Sequence, residues 1–321
     1  MIILKNNSNK RDKLRGIFKM IRVLTNDGLE SAAIEALQEL GAEVVNEHIE
    51  QNVLGEELKK FDAIVIRSAT KLTADIFDAE KGGNLKLAIR AGVGIDNIDI
   101  PAAEGVGVTV KNTPAASSDS VAELAIGHMF ALARFIAVSN VTMRNGEWNK
   151  KKYEGTEIAG KTLGIVGMGR IGQSLAKKAT ALGMKVVYFT IEGKHDDLAY
   201  DFVSLEEVLK TSDFISLHVP YDKAAGSLIG KKELELMKNT AYLINCARGK
   251  VVDEAALIEA LDNGVIAGAG IDVFEEEPTK NEILVNHPKV SATPHIGAAT
   301  KEAQTRIGEE VVSVIKEFFN L

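Results

Sequence analysis

The chain has 321 residues, of which 45% are hydrophobic and 26% are charged, and its formal net charge at pH 7 is −7. This length and composition are typical of a soluble globular protein with two domains, and the negative charge argues against a nucleic-acid-binding surface. No stretch approaches the roughly 18 apolar residues that a membrane-spanning helix needs, and the apolar start is too short for a signal peptide. We therefore predict a cytoplasmic protein, in agreement with a single cysteine, Cys246, which cannot form an internal disulfide.

The first 19 residues differ from the rest of the chain. Residues 6–15 are polar and basic and have neither helical nor strand periodicity. We therefore predict that residues 1–19 form a disordered extension and that Met20, directly before the first strand pattern, is the functional start.

From Met20 onward, short apolar strands alternate with helical patterns, which predicts parallel sheets covered by helices and hence an α/β fold. The predicted strands of the first series cover residues 21–24, 43–45, 63–66, 85–89 and 106–110. One long helix is predicted next, over residues 117–136, because apolar side chains recur there at helical spacing. A second series of strands is predicted at residues 185–189, 213–218, 241–245, 266–272 and 290–292, and a last helix at residues 300–319.

A glycine-rich loop precedes the second series. The apolar residues 163–166 run into a Gly-x-Gly-x-x-Gly sequence formed by Gly167, Gly169 and Gly172, and a helical pattern follows. Such glycines permit a tight turn, a close approach of the backbone to a pyrophosphate, and close packing of the helix on the strand. This arrangement predicts a doubly wound Rossmann domain that binds a dinucleotide. Because roughly 150 residues precede the loop, we expect a second domain that holds a substrate.

The residue that would bind the adenosine ribose departs from the usual pattern. Rossmann domains usually carry an acidic residue about 20 positions after the loop, at the end of the second strand. Here that strand ends at Thr190, which can hydrogen-bond a ribose hydroxyl but has no charge to repel a 2′-phosphate. Glu192 is one substitute for the missing acid, whereas Lys194 and His195 would instead favour NADP. The choice between NAD and NADP is therefore open.

Polar segments follow three strands of the second series, at residues 245–249, 272–278 and 293–300. Ligand sites in open α/β sheets lie at the carboxyl ends of the strands, so we expect these segments to share one cleft. Arg248 offers a planar fork for a carboxylate, and His295 can accept or donate a hydroxyl proton. Glu277, if hydrogen-bonded to His295, would fix the tautomer of the imidazole and favour its protonated form. These residue types suit hydride transfer to or from a 2-hydroxy acid.

Together these segments resemble the D-isomer-specific 2-hydroxyacid dehydrogenases, and most closely their D-3-phosphoglycerate dehydrogenase members, over nearly all of the chain from Met20 onward. The resemblance implies that Arg248, Glu277 and His295 form the catalytic set. It also implies NAD as cofactor, with NADP as the alternative, and no metal site is predicted. The resemblance and the strand-end positions together predict cofactor contacts from Val93, Gly167, Gly169, Arg170, Ile171, Thr190, His218, Val219, Pro220, Cys246, Ala247, Arg248, Asp272, His295 and Gly297.

The family's architecture implies a Rossmann domain over residues 119–293. This domain would be inserted into a flavodoxin-like substrate domain that consists of residues 20–118 and 294–321. The resemblance further implies a homodimer, with a dimer arm around Trp148, and a short form without a C-terminal regulatory domain.

The resemblance also implies which residues hold the substrate. The predicted contacts are Arg67, Ser68, Arg90, Gly92, Val93 and Gly94 of the first domain, together with Arg248 and His295. Arg67 and Arg90 would form a clamp for a dianion. The alternative is that either arginine only pairs with an acid such as Asp96 or Asp99.

The implied activity is the oxidation of 3-phospho-D-glycerate to 3-phosphohydroxypyruvate with a nicotinamide cofactor, the entry step of L-serine biosynthesis. A glyoxylate or hydroxypyruvate reductase, or another D-2-hydroxyacid dehydrogenase, is an alternative, because these relatives share the catalytic set. An NADH-sensing, corepressor-like binding protein is a further alternative from a different class.

Overall fold

The structure, a computed structural model, describes residues 20–321 and divides them into two compact units. The first unit consists of residues 20–116 and Lys301–Leu321, and the second of Ser117–Thr300. Each unit contains one parallel sheet with helices, which confirms the predicted α/β fold class. The predicted extension over residues 1–19 lies outside the described residues.

The chain passes from the first unit to the second between residues 116 and 117, and returns between residues 300 and 301. The predicted domain boundaries were 118/119 and 293/294. The difference at the second boundary has a physical reason. The backbone N–H groups of Ile296 and Gly297 donate to the Asp272 carboxylate at 2.8 and 2.9 Å. The hydroxyls of Ser120 and Thr300 also lie 2.7 Å apart. These bonds keep residues 294–300 on the second unit.

The first unit contains a five-stranded parallel sheet in the order β2-β1-β3-β4-β5. Its strands are β1 (Arg22–Thr25), β2 (Glu43–Val45), β3 (Ala63–Ile66), β4 (Leu87–Arg90) and β5 (Thr109–Asn112). The central strand β3 is apolar and fully buried, whereas the edge strands β2 and β5 are partly exposed. A continuous apolar run is typical of a parallel strand that is covered on both faces.

Four helices connect these strands, and they cover the sheet from both sides. They are α1 (Ser31–Glu39), α2 (Leu54–Leu58), α3 (Ala74–Glu80) and α4 (Ile100–Gly105). Val65 of β3 belongs to the same apolar cluster as Leu37 of α1, and its neighbour Ile64 to the same cluster as Leu58 of α2. Strands β4 and β5 begin later than predicted. Leu85 and Val108 are apolar and buried although they lie in the preceding loops, so the apolar pattern extended the predicted strands into those loops.

The second unit contains a seven-stranded parallel sheet in the order β12-β11-β10-β9-β6-β7-β8. Its strands are β6 (Thr162–Val166), β7 (Lys185–Phe189), β8 (Asp201–Phe202), β9 (Phe214–Leu217), β10 (Tyr242–Asn245), β11 (Gly268–Ile271) and β12 (Val290–Ala292). From β6 the chain forms β7 and β8 on one side and then crosses to β9 on the other. The carboxyl ends of β6 and β9 therefore flank a topological switch point, where open α/β sheets bind their ligands.

The helices of the second unit are α5 (Ser118–Ala133), α6 (Ile136–Arg144), α7 (Arg170–Ala181), α8 (Leu205–Thr211), α9 (Lys231–Leu236), α10 (Glu254–Asp262) and α11 (Glu282–Val285), with short 3-10 turns at Lys150–Lys152 and Gly249–Val251. The last helix, α12 (Lys301–Phe319), belongs to the first unit. It buries Ile307, Val311 and Ile315 in the same apolar cluster as Leu37 of α1.

The helix predicted over residues 117–136 is confirmed as α5 (Ser118–Ala133), but it ends three residues earlier than predicted, and the chain bends by 62° between α5 and α6. Phe135, with a φ angle of 53°, adopts a left-handed conformation that a right-handed helix cannot continue through. Within residues 20–321 no single helix is long and apolar enough to cross a membrane, although α5 and α6 taken as one bent pair meet that test by length and composition.

Candidate active site

The glycine loop lies at the switch point, directly after β6. Gly167 has a φ angle of 96°, and an added Cβ would lie 2.4 Å from the carbonyl oxygen of His218. A Cβ on Gly172 would lie 2.3 Å from the carbonyl oxygen of Gly167. Both positions therefore need glycine for the chain to pack. A Cβ on Gly169, in contrast, would meet no atom within 4 Å, so the backbone is open to a ligand there.

Helix α7 begins directly after this open position. Gly169 is its N-cap, and no side chain caps the helix, so its first N–H groups are available to an anion. Arg170 and Ile171, both predicted cofactor contacts, occupy the first two helical positions. The open backbone and the uncapped helix together fit the pyrophosphate of a dinucleotide.

His295 and Glu277 form a short hydrogen bond near the carboxyl ends of β11 and β12. The Nδ1 atom of His295 lies 2.6 Å from Oε2 of Glu277, and the two side chains are 36% and 35% exposed. The other carboxylate oxygen of Glu277 accepts the backbone N–H of Phe274 at 3.1 Å. Since Nδ1 donates to the carboxylate, Nε2 is the ring nitrogen left for proton exchange with a substrate.

The environment of Glu277 keeps its carboxyl group ionised. Burial acts to raise its pKa, but the hydrogen bonds from His295 and from the Phe274 N–H act against burial, as do the charges of His295 and Arg248. The net result is a pKa below the usual value for a glutamate. An ionised Glu277 stabilises positive charge on His295, which is the charge that an acid–base histidine acquires when it accepts a proton.

Arg248 comes close enough to Glu277 for its charge to act on that carboxylate. Its segment is held in place by the Asn245 side chain, which donates to the Arg248 carbonyl at 2.9 Å. The next residue, Gly249, packs directly on the loop after β11, since a Cβ there would lie 1.8 Å from the carbonyl oxygen of Phe274. The structure therefore brings the three predicted catalytic residues together from three neighbouring strand ends.

Asp272 anchors the loop that carries His295. Its buried carboxylate accepts the Thr293 hydroxyl at 2.6 Å and the N–H groups of Ile296 and Gly297. His295 itself has a φ angle of 52°, a left-handed conformation that is strained for this residue and persists only when its surroundings impose it. Three bonds to one carboxylate supply that constraint. Asp272 was predicted as a cofactor contact, and that role remains a prediction.

A buried histidine of α5, His128, extends this network, a role that no motif in the sequence indicates. Nε2 of His128 lies 3.1 Å from the Thr293 hydroxyl, and Nδ1 lies 3.0 Å from the Ser291 hydroxyl. Because Thr293 donates its own proton to Asp272, it accepts from Nε2–H of His128. Burial lowers the pKa of His128, and the charge of Asp272 opposes this only in part. A neutral His128 thus ties α5 to the His295 loop. The only sequence signal was its position on the apolar stripe of the helix.

Two other predicted cofactor residues lie at neighbouring strand ends and are also uncharged. His218 follows β9, its Nε2 lies 2.9 Å from the Ser216 hydroxyl, and burial lowers its pKa to about 4. Cys246 follows β10, and burial, with a smaller contribution from the charge of Asp272, raises the pKa of its thiol. Val219, Pro220 and Ala247 come directly after these residues. This edge of the sheet therefore presents neutral and apolar groups beside the Arg248–Glu277–His295 cluster.

The two buried histidines predict a loss of stability in acid. An unfolded histidine binds a proton with a pKa of about 6.5, and burial lowers the pKa of both His128 and His218. The unfolded chain then holds more protons than the folded one, so the free energy of unfolding should fall as the pH drops from about 6.5 towards about 4. Urea unfolding across this range should show a smaller loss for His218→Asn than for the parent. His48→Asn, at an exposed position, is the control. Equal pH dependence in all three proteins would contradict the prediction.

The predicted substrate residues of the first unit follow neighbouring strands β3 and β4. The Arg67 backbone is fixed, since its N–H donates to Asp27 at 2.6 Å and its carbonyl accepts from the Asn97 side chain at 2.7 Å. Within the described part of the chain, the Arg67 guanidinium makes no hydrogen bond or ion pair. Asp99, one of the acids considered as a partner of Arg67, instead caps α4 by accepting the Ala102 N–H at 3.0 Å. Ser68, the next residue, is exposed.

The segment after β4 is built around a glycine. The Arg90 guanidinium donates from Nη1 to the Ala91 carbonyl at 3.2 Å and folds over Gly92, where a Cβ would lie 1.3 Å from Nη1. Gly92 also has a φ angle of 151°. The Val93 carbonyl accepts from the Asn112 side chain at 2.5 Å, and Gly94 follows it half-buried. Contacts of this segment with substrate and cofactor remain predictions.

Comparison with known proteins gives consistent matches. The profile of the D-isomer specific 2-hydroxyacid dehydrogenase, NAD binding domain, matches residues 126–297. Hydroxypyruvate reductase of Thermotoga maritima is 46% identical over 92% of this chain and 97% of its own length. D-3-phosphoglycerate dehydrogenase of Methanocaldococcus jannaschii is 43% identical over 93% of this chain, but the match spans only 57% of that protein.

A solved structure with a bound cofactor is also similar. It is the NADPH-dependent glyoxylate/hydroxypyruvate reductase of Sinorhizobium meliloti in complex with NADP and malonate. The TM-score is 0.82 at 30% sequence identity, and the match covers 94% of each chain.

Proposed function

Because the chain belongs to the D-isomer-specific 2-hydroxyacid dehydrogenase family, an NAD(P)-dependent group of oxidoreductases, we propose that it oxidises 3-phospho-D-glycerate to 3-phosphohydroxypyruvate. This reaction would be the first step of L-serine synthesis, with NAD as the hydride acceptor. The choice of substrate depends on one observation at Arg67. Its backbone is fixed by hydrogen bonds, but its guanidinium has no hydrogen-bond or ion-pair partner among residues 20–321. A phosphate dianion is the ligand that best suits such a group.

The catalytic cluster supplies the acid–base chemistry. Nε2 of His295 takes the proton of the 2-hydroxyl group while the hydride leaves C2 of the substrate, and the C2–O bond becomes a carbonyl. Arg248 binds the adjacent carboxylate and polarises the forming carbonyl. Glu277 stabilises the imidazolium that forms on His295. A nicotinamide cofactor held by the glycine loop and the uncapped start of α7 would supply the hydride acceptor. In the reverse direction His295 would return the proton to the substrate oxygen.

A second candidate function is the reduction of hydroxypyruvate or glyoxylate. It is favoured by the relative from Thermotoga maritima, which matches along nearly its whole length and is a hydroxypyruvate reductase. Hydroxypyruvate differs from 3-phosphohydroxypyruvate only in the absence of the phosphate. The catalytic cluster acts on the shared part of the two molecules, so only groups that read the phosphate distinguish between the candidates.

A steady-state comparison of substrates tests the proposal. The kcat/KM values for 3-phosphohydroxypyruvate, hydroxypyruvate and glyoxylate are measured with the same enzyme and NADH. We expect the phosphorylated substrate to be preferred by about tenfold or more, as one charged hydrogen-bonded contact would give. A preference for hydroxypyruvate or glyoxylate would instead assign the second function.

The proposal includes a homodimer. Four large apolar side chains are exposed on α6 and the segment that follows it: Ile136, Val141, Met143 and Trp148 are 54%, 58%, 52% and 78% exposed. Several exposed large apolar side chains in one segment of the chain are typical of an interface with another protein surface. A second copy of this chain is the occupant that the family resemblance implies.

A further inference from the structure

The end of strand β7 lies beside the glycine loop. The Gly167 N–H donates to the Phe189 carbonyl at 2.8 Å, and Val166 pairs with Phe189 in the β6–β7 register. Thr190 therefore follows β7 next to the first glycine of the loop. This is the position at which Rossmann domains usually place an acid for the adenosine ribose. Thr190 is 6% exposed, so its own side chain offers little surface to a ligand.

The Thr190 hydroxyl instead holds the carboxylate of Glu192 near the end of β7. Its Oγ1 donates to Oε2 of Glu192 in a short hydrogen bond. The pKa of Glu192 is lowered, chiefly by this bond, then by its own backbone N–H, and to a smaller extent by the charge of His195. Glu192 is otherwise exposed. An ionised, exposed carboxylate is thus fixed three residues beyond the end of β7 and two residues beyond Thr190.

The two basic residues of the same loop are held differently. Lys194 lies 3.9 Å from the Asp196 carboxylate, which offsets part of its charge. The His195 backbone N–H donates to the Tyr188 hydroxyl at 2.8 Å, and its ring packs edge-on against the Tyr188 ring. Within the described residues neither side chain is hydrogen-bonded to Thr190. Of Glu192, Lys194 and His195, Glu192 is therefore the one whose side chain is held by the residue that follows β7.

We propose that Glu192, positioned by Thr190, accepts the hydroxyls of the adenosine ribose and repels a 2′-phosphate, so that this protein selects NAD(H) over NADP(H). A carboxylate can accept two ribose hydroxyls, and placing it against a phosphate dianion is strongly unfavourable. The hydroxyl of Thr190 bridges the two-residue displacement from the usual position. The proposal rests on the family's nicotinamide cofactor and is independent of the substrate.

Equilibrium binding of NADH and NADPH, followed by nicotinamide fluorescence without any substrate, tests this directly. We expect the parent protein to bind NADH at least about tenfold more tightly than NADPH, and Glu192→Gln to reduce that ratio about tenfold, mainly through tighter NADPH binding. The matched control is Asp197→Asn, which removes the same charge from an exposed position of the same loop. Its ratio should equal that of the parent.

Two variants at Thr190 separate positioning from packing. Thr190→Val keeps the buried volume but removes the hydroxyl, so we expect weaker NADH binding and a reduced ratio. Thr190→Ser keeps the hydroxyl and should retain the parent ratio. Equal or tighter binding of NADPH by the parent, the same ratio in Glu192→Gln and Asp197→Asn, or a parent-like ratio in Thr190→Val would each overturn the proposal. Because no substrate is present, these outcomes are independent of whether the phosphoglycerate assignment holds.

Discussion

Replacing His295 with alanine is expected to lower kcat by about a thousandfold on every 2-hydroxy or 2-oxo acid, while NADH still binds. A positioned general acid–base contributes about 10²- to 10⁴-fold, and in this site His295 is the group paired with a carboxylate and carrying a free ring nitrogen. The measurement is steady-state turnover together with a fluorescence titration of NADH. Near-normal turnover would remove the acid–base role. Loss of NADH binding would show instead that His295 acts mainly through the cofactor.

The partner of His295 offers a matched pair of variants. Glu277→Gln keeps the shape and one hydrogen bond but removes the charge that stabilises the imidazolium, so kcat should fall by about a hundredfold with little change in thermal stability. Glu276→Gln is the control, because the adjacent Glu276 carboxylate is exposed and, among residues 20–321, is hydrogen-bonded only by Lys280, at 3.1 Å. A similar loss in both variants would mean that the loop, and not the Glu277 charge, is affected.

The fold class and the proximity of the three proposed catalytic residues were accessible from the sequence for a clear reason. Parallel strands that are buried on both faces have continuous apolar sequences. The bounds of β3 and β6 were therefore predicted almost to the residue. The carboxyl ends of such strands share one edge of the sheet. Arg248, Glu277 and His295 therefore had to lie near one another once their strands were recognised.

Two features could not be predicted from the sequence: the break between α5 and α6, and the hydrogen bonds that hold the His295 loop in place. The bend at Phe135 depends on a single left-handed residue, which the apolar periodicity of the segment does not record. The bonds from His128 to Thr293 and from Asp272 to Gly297 join residues far apart in the chain. Local patterns carry information about which face of an element is buried, but not about which buried polar groups meet.

The ribose position shows the same limit at short range. An acid was expected at the strand end, and Thr190 stands there. The sequence left Glu192, Lys194 and His195 as competing readers of the ribose. Only the side-chain hydrogen bond between Thr190 and Glu192 distinguishes them. The motif predicts where a dinucleotide would bind, whereas the residue that we propose to read its ribose is identified only by the conformation of the loop.

Arg67→Ala is expected to separate the phosphorylated from the unphosphorylated substrates. A hydrogen bond to a charged group contributes about 1.5 to 3 kcal/mol, so losing the guanidinium should raise KM for 3-phosphohydroxypyruvate by about 10- to 100-fold. The KM for hydroxypyruvate should stay nearly constant, because that molecule lacks the phosphate. Stability should change little, since the Asp27 and Asn97 bonds hold the Arg67 backbone and not its side chain.

The control for this prediction is Lys71→Ala, which removes an exposed cation four positions further along the same loop. If the effect were only long-range attraction of an anionic substrate, both variants would raise KM to a similar extent, and more salt would weaken the effect. A specific phosphate contact predicts a large change for Arg67→Ala and a small one for Lys71→Ala. If Arg67→Ala raises KM equally for hydroxypyruvate, Arg67 does not read the phosphate. An unchanged KM for both substrates would favour the hydroxypyruvate reductase function, because the unpaired guanidinium would then have no part in recognising a phosphorylated acid.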